Sequence, residues 1–316
     1  MAAKAGSLQQ RAVEELFFQN DAVSLCLLIN RRARTMRVVD FRAGPSHAKR
    51  LFVQSLAERE GVEKVYTLVE RDEVQTWQKL GFAREGSIPA FYKRSDAFLL
   101  GCPVRGRVAS RRHADEIPLE SEMRLAVAQS AGEHPALSVG QERMERTLAA
   151  AKRLLKDGAE KGVVHAKVVG LEEAEARKAV SAAVRNGRAL TAFEPFGRDV
   201  ERRYFSVTTR GGFELVASTE SQPCFGNAFL ELLVPPRSDA EKSATVGAVR
   251  ALCDHLLSDG IVSCFSLAPS DDVSLAAAFL QNGFRRTGLL AEHLVVGSQR
   301  KDAILWSRKM ATPADE

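Results

Sequence analysis

The amino-acid sequence predicts an α/β (α+β) chain in which a mixed, mostly antiparallel sheet with flanking helices is built twice. Three observations lead there. Three extended segments followed by helix, strand, helix and two last strands occupy residues 13–102, and the same succession returns over 202–310. Anchor residues fall in parallel: Asp40 stands five before Pro45 as Glu231 stands five before Pro236, Gly61 matches Gly260, Gly81-Phe82 matches Gly283-Phe284, and Asp96 matches Asp302. A length of 316 residues suits two ordinary domains, and 45% hydrophobic with 27% charged residues suits a globular chain.

Each element has a local reason. VEELFFQ, AVSLCLLIN and TMRVVDF are rich in branched and aromatic residues and are separated by polar turns, which marks strands. Gly44-Pro45-Ser46 then opens a helix, HAKRLFVQSLAERE, closed by Gly61. A strand, KVYTLVE, and a helix, DEVQTWQKL, stopped by Gly81, lead to two last strands around Ala83–Tyr92 and Ala97–Leu100. In the second half, RRYFSVTT, GFELVAST and NAFLELLV precede a helix from about Asp239 to Asp259. IVSCFSLA, a helix DDVSLAAAFLQN, the extended RRTGLLAEHLVVG and DAILWSRKM follow. This half also gains a front strand, VVHAKVVGL, and an amphipathic helix, EEAEARKAVSAAVRNG. The expected organisation is an N-terminal domain over 1–104, a basic linker and connecting helix over 105–162, and a C-terminal domain over 163–312. In the connecting helix Met144, Leu148, Ala151 and Leu155 form a stripe that should pack on one of the domains.

Composition removes several classes. No apolar run approaches the roughly 18 residues of a membrane helix, and the start MAAKAGSLQQ lacks an apolar export core, so the expected address is the cytoplasm with no membrane partner. Five scattered cysteines make a poor disulfide framework or zinc site and read as buried free thiols, with no metal expected. A net charge of +5 does not by itself imply nucleic acid, which is not an expected partner.

The words WQKLGFAREGSIPAFYKRSDAFLLG and FLQNGFRRTGLLAEHLVVGSQRKDAILWSRKM, each ending the same order of elements, resemble the GNAT acyl-CoA N-acyltransferase superfamily. The first is similar to the end of bacterial amino-acid N-acetyltransferases. The likeness covers roughly 13–102 and 163–310, and it implies two GNAT-like domains, the N-terminal one truncated at its front. It further implies a sheet splayed in its middle that holds acetyl-CoA, with the pyrophosphate on the N-terminus of the following helix. Family members write that turn Arg/Gln-x-x-Gly-x-Gly/Ala. Here the first half has Arg42-Ala43-Gly44-Pro45-Ser46-His47-Ala48 and the second Pro235-Pro236-Arg237-Ser238-Asp239-Ala240-Glu241, so neither keeps the motif. Many members also place a Tyr four residues before the Gly of Gly-Phe as general acid. Trp77 and Phe279 stand there instead, and neither can serve as that acid.

These losses favour a tandem, degenerate pseudo-acetyltransferase that binds protein partners and needs no cofactor. An active N-acetyltransferase is the alternative. It would use the first half, with Ser46, His47, Ala48 and Lys49 at the cofactor, Asp40 as general base and Tyr92 as general acid. Glu231 is the matching carboxylate of the second half. A third reading, nucleotide or nucleic-acid binding through RRARTMR or the linker arginines Arg105, Arg107, Arg111 and Arg112, lacks aromatic interleaving. The loop within 218–233 reads as a turn, and open sheet edges leave homo-oligomerisation among the alternatives.

Overall fold

The computed structural model describes residues 13–20, 23–31, 33–40, 44–104, 135–157, 164–187, 200–222, 224–233 and 239–311. Its first half opens with the antiparallel meander β1 (Val13–Gln19), β2 (Ser24–Asn30) and β3 (Thr35–Asp40). Helix α1 (His47–Arg59) starts at Ser46, whose hydroxyl accepts from Lys49 N at 3.4 Å. Gly61 stops it with φ 66°, a conformation that costs glycine nothing. Strand β4 (Lys64–Val69) then runs parallel to β3. A single 3-10 turn leads into α2 (Val74–Lys79), which ends before Gly81, and β5 (Ala83–Ile88) and β6 (Ala97–Pro103) close the half.

The expected strand to Tyr92 stops at Ile88. Pro89 has no N–H to donate, Ala90 and Lys93 take positive φ, and Asp96 Oδ1 accepts from Ala90 N at 2.8 Å, so the backbone turns instead of pairing.

The second half begins with α3 (Pro135–Asp157), β7 (Ala166–Leu171) and α4 (Glu173–Arg185). Then come β8 (Glu201–Thr209), β9 (Glu214–Gln222), β10 (Asn227–Leu232) and α5 (Asp239–Ser258). Strand β11 (Ser263–Pro269), α6 (Val273–Gln281), β12 (Arg285–Val296) and β13 (Gln299–Lys309) complete it. On α3, Met144 and Ala151 are buried and Leu148 and Leu155 pack beside them on the second-half core, as the stripe predicted.

The described strands make one 13-stranded sheet in the order β1-β2-β3-β4-β6-β5-β12-β13-β11-β10-β9-β8-β7. Only β3–β4 and β10–β11 among these neighbours are parallel. The fold class is therefore a mixed, mostly antiparallel sheet with helices. The halves meet where β5 pairs with β12 at Gly86 and Gly288. A Cβ on Gly288 would stand 2.6 Å from Glu85 O and from Gly86 Cα, so only glycine admits this approach.

Alternate residues of each strand serve different cores, because side chains alternate across a sheet. Phe98 and Leu100 face α1 and α2, while Leu99 between them joins a cluster shared by both halves, with Tyr66, Ile88 and Phe91 meeting Phe229, Phe265, Leu290 and Leu305. Buried polar groups tie the same junction. Lys64 Nζ bonds both Glu85 carboxylate oxygens at 2.7 Å and also Ala291 O, Arg300 Nε bonds Glu63 at 2.7 Å, and Asn227 donates to Phe91 O at 2.6 Å.

Candidate functional site

In the first half the β3–β4 ladder ends at Val38 opposite Thr67, although β3 runs on to Asp40 and β4 to Val69. Thr67 Oγ1 takes the last carbonyl, Val38 O, at 2.8 Å. The strand ends beyond this pair carry no ladder bonds to each other, and α1 begins beside them. Of the residues the sequence placed here, His47 and Ala48 are exposed in the first turn of α1, and Ser46 is its cap. Lys49 points inward. Its ammonium binds the Asp40 carboxylate and Gly44 O (3.0 Å), with side chains 2% and 4% exposed for Lys49 and Asp40. Breaking such a buried pair leaves an uncompensated charge, so the pair holds the end of β3 to the start of α1.

Tyr92 lies in the turn after β5, its ring edge-on to Phe91 (4.9 Å) and to Phe225 (5.6 Å) from the β9–β10 turn. Burial pushes its phenol up to about 12, with Glu70 and Glu73 adding to the rise and Arg37 opposing it. Burial likewise raises the Glu73 carboxyl, helped by Asp72, Asp40 and Glu70. Asp40 and Tyr92 thus border the same acidic end of β4. Glu70 and Glu73 were missed in the sequence reading; their signal was the run Glu70-Arg71-Asp72-Glu73 directly after a strand.

The second half has a matching opening. Its β10–β11 ladder ends at Leu230 opposite Ser266, while the strands continue to Leu232 and Pro269. Val38 and Leu230 are therefore equivalent, and Asp40 corresponds to Leu232, one residue away from the Glu231 that proline spacing had matched to it. One residue is enough to reverse the side of the sheet. Asp40 shares the side of Met36 and Val38 under α1, whereas Glu231 lies between the inward Leu230 and Leu232, on the opposite side. There Glu231 accepts from Ser218 Oγ at 2.9 Å and stands 3.9 Å from Arg202, which itself bonds Glu220 at 2.8 Å.

Trp77 and Phe279 are core residues. Trp77 meets Phe82 edge-on at 4.9 Å, and Phe279 stacks on Trp306 at 5.5 Å. Within RRARTMR, Arg31 pairs with Glu14 and Glu60, Arg34 with Glu63, and Arg37 is buried, while Arg32 lies outside the described residues. The cysteines are all unpaired, with Cys26, Cys253 and Cys264 buried, but Cys102 is partly exposed and Cys224 exposed, against the expectation that every thiol is interior. Arg42-Ala43, Pro235 to Ser238 and the linker arginines lie outside the described residues. Among the described residues no group of three or more His, Cys, Asp or Glu could hold a metal, and no helix is long and apolar enough to cross a membrane.

No protein-family model matches the chain, and no curated protein does. Solved structures do match. A spermidine N-acetyltransferase from Vibrio cholerae, in complex with CoA and spermine, aligns over 47% of this chain and 97% of its own at 13% identity, with a TM-score of 0.38. The ribosomal-protein-S18-alanine N-acetyltransferase from Escherichia coli aligns over 48% of this chain and 97% of its own at 14% identity, with a TM-score of 0.37.

Proposed function

We propose that the chain carries two copies of an acyltransferase-like GNAT fold and works in the cytoplasm as a non-catalytic scaffold or regulator for protein partners, without using acetyl-CoA. The observation that carries this reading is that the Asp40 carboxylate, the candidate base, is buried and already bound by the Lys49 ammonium. A general base must be within reach of the substrate proton, and the Asp40 side chain is 4% exposed with its Oδ2 held by the buried Lys49 ammonium. Tyr92, the candidate acid, is packed against Phe91 and Phe225, and burial pushes its phenol up to about 12, so it gives up a proton less readily than an ordinary tyrosine. Trp77 and Phe279 fill space inside the cores.

A second reading, an active N-acetyltransferase in the first half, is favoured by one feature. The exposed first turn of α1, with Ser46, His47 and Ala48, abuts the opening between β3 and β4, where backbone N–H groups suit a pyrophosphate. Isothermal titration with acetyl-CoA and with free CoA separates the two. The scaffold reading expects no heat at millimolar ligand. Saturable micromolar binding that disappears in Ser46→Glu would overturn it and call for a screen of amine acceptors.

A further inference from the structure

The helix pairs of the two halves pack differently, and the difference leaves a pocket in one of them. In the second half α5 and α6 are tied together, Asn282 after α6 donating to Val246 O on α5 at 3.0 Å, and Val249 and Cys253 of α5 are buried in the core. Counted back from the terminating glycines Gly61 and Gly260, the first half carries Arg50 and Gln54 at those two helix positions. Arg50 is only half-buried and Gln54 is exposed, whereas Val249 and Cys253 lie in the core. A pocket of about 270 Å³ remains between α1 and α2.

Its floor is apolar, made by Val53, Val65, Trp77, Leu80 and Phe82. Val65 is the second residue of β4, and Pro103 and Val104 at the end of β6 line the same side, so the pocket reaches toward the end of β4 opposite the β3–β4 opening. Its wall along α1 is Arg50, Gln54 and Glu58, one helical turn apart. Lys49 also lines it, but its ammonium is taken by Asp40. Arg50 is different. Its guanidinium lies over the bare Gly81 turn, with Nη2 3.9 Å from where a Cβ would stand, and among the described residues its side chain has no ion-pair or hydrogen-bond partner. An apolar floor with a few polar groups at its rim, here Arg50 with Gln54 and Glu58 further along α1, is the usual make-up of a small-molecule site.

We infer that this pocket between α1 and α2 binds a small organic anion with a flat apolar body, its acid group on Arg50 and its body over the Leu80 and Phe82 side of the floor. A carboxylate fits the planar donor fork of a guanidinium, and the aromatic floor excludes water from the rest of the ligand. Of Ser46, His47, Ala48 and Lys49 only Lys49 lines the pocket, and its ammonium is held by Asp40, so a ligand on Arg50 does not need the turn that acetyl-CoA would use.

The test is calorimetric titration of the full chain with 2-naphthoate and with its uncharged analogue 2-naphthalenemethanol. The acid should bind one to one and the alcohol about tenfold more weakly, the effect of losing a hydrogen bond to a charged group. Arg50→Gln should bring the acid down to the level of the alcohol. Gln54→Trp, a change on the exposed rim that leaves the core intact, should block both ligands. Equal affinity for acid and alcohol, binding unchanged by the two variants, or no heat from either compound at millimolar concentration would each overturn the proposal.

Discussion

The first half and the second lay their strands in the same order, yet among the described residues only the first buries a pair of opposite charges beneath its helices. Under α1 and α2 the first half buries Lys49 with Asp40 and lines a pocket with Arg50 and Gln54. Under α5 and α6 the second half is apolar, from Ala248 through Val249, Leu252 and Cys253 to Leu256. Its buried charges, Arg202 with Glu220 and Glu231, stand on the opposite face. Strand order survives such exchanges because it depends on alternation and on where helices stop, whereas a charge needs only a partner within reach. The comparison teaches that the ends of β3 and β10, although alike in backbone, offer different chemistry.

The largest break in that comparison is expected at Lys64, which the ladders pair with Thr35 as they pair Ser263 with Asn227. A lysine at this place lets the first half bind the second through Glu85 and Ala291 O. Lys64→Met would strand a Glu85 side chain that is 4% exposed. A loss of about 3–5 kcal/mol is expected at neutral pH, read as a lowered denaturant midpoint, and Glu85→Leu added to it should restore most of that loss. A single variant as stable as the parent would mean that the apolar cluster alone holds the junction.

His293 sharpens the contrast further, because only the longer β12 of the second half carries a ring across to Tyr66, edge-on at 4.8 Å. Burial, with Lys64 and Arg300 nearby, holds this imidazole well below its usual value. The folded chain therefore resists a proton that the unfolded chain accepts. Its contribution is present above about pH 6.5 and falls as the pH drops below that, by up to about 1.4 kcal/mol per unit. His293→Phe keeps the ring and removes the titration. Between pH 7.5 and 5.5 the parent should lose more stability than the variant, and identical slopes would show that the site does not couple to folding.

Much of this was legible in the sequence where the signal is local. Gly61, Gly81, Gly260 and Gly283 all take positive φ just after helices, which is why they mark equivalent places in both halves. The stripe on α3 was legible for the same reason, since periodicity reports the side that packs. Spacing to a proline was not a sound ruler. Pro45 and Pro236 lie beyond the strands, so the loop lengths before them slipped the match by one residue and paired Asp40 with Glu231 across opposite faces. Nor could spacing reveal that Lys49 turns inward, that Arg202 reaches Glu231, or that β5 meets β12 through two glycines, because each depends on partners far along the chain.

The smallest effect concerns how firmly the helices of the two halves begin. In the second half Asp272 caps α6 by accepting from Ser274 N at 3.0 Å and Leu275 N at 2.9 Å. In the first, Ser46 caps α1 with one bond of 3.4 Å, outside the usual range for N–H to O. Asp272→Ala should cost about 1 kcal/mol and Ser46→Ala about 0.5 kcal/mol, measured as shifts in denaturant midpoint at fixed m. The inequality is what matters. A loose cap leaves the first N–H groups of α1 without a strong internal acceptor, so an anion at that turn would find donors only lightly engaged. If Ser46→Ala instead costs as much as Asp272→Ala, the cap is firm in solution, α1 has no donors to spare, and an active first half loses the one feature in its favour.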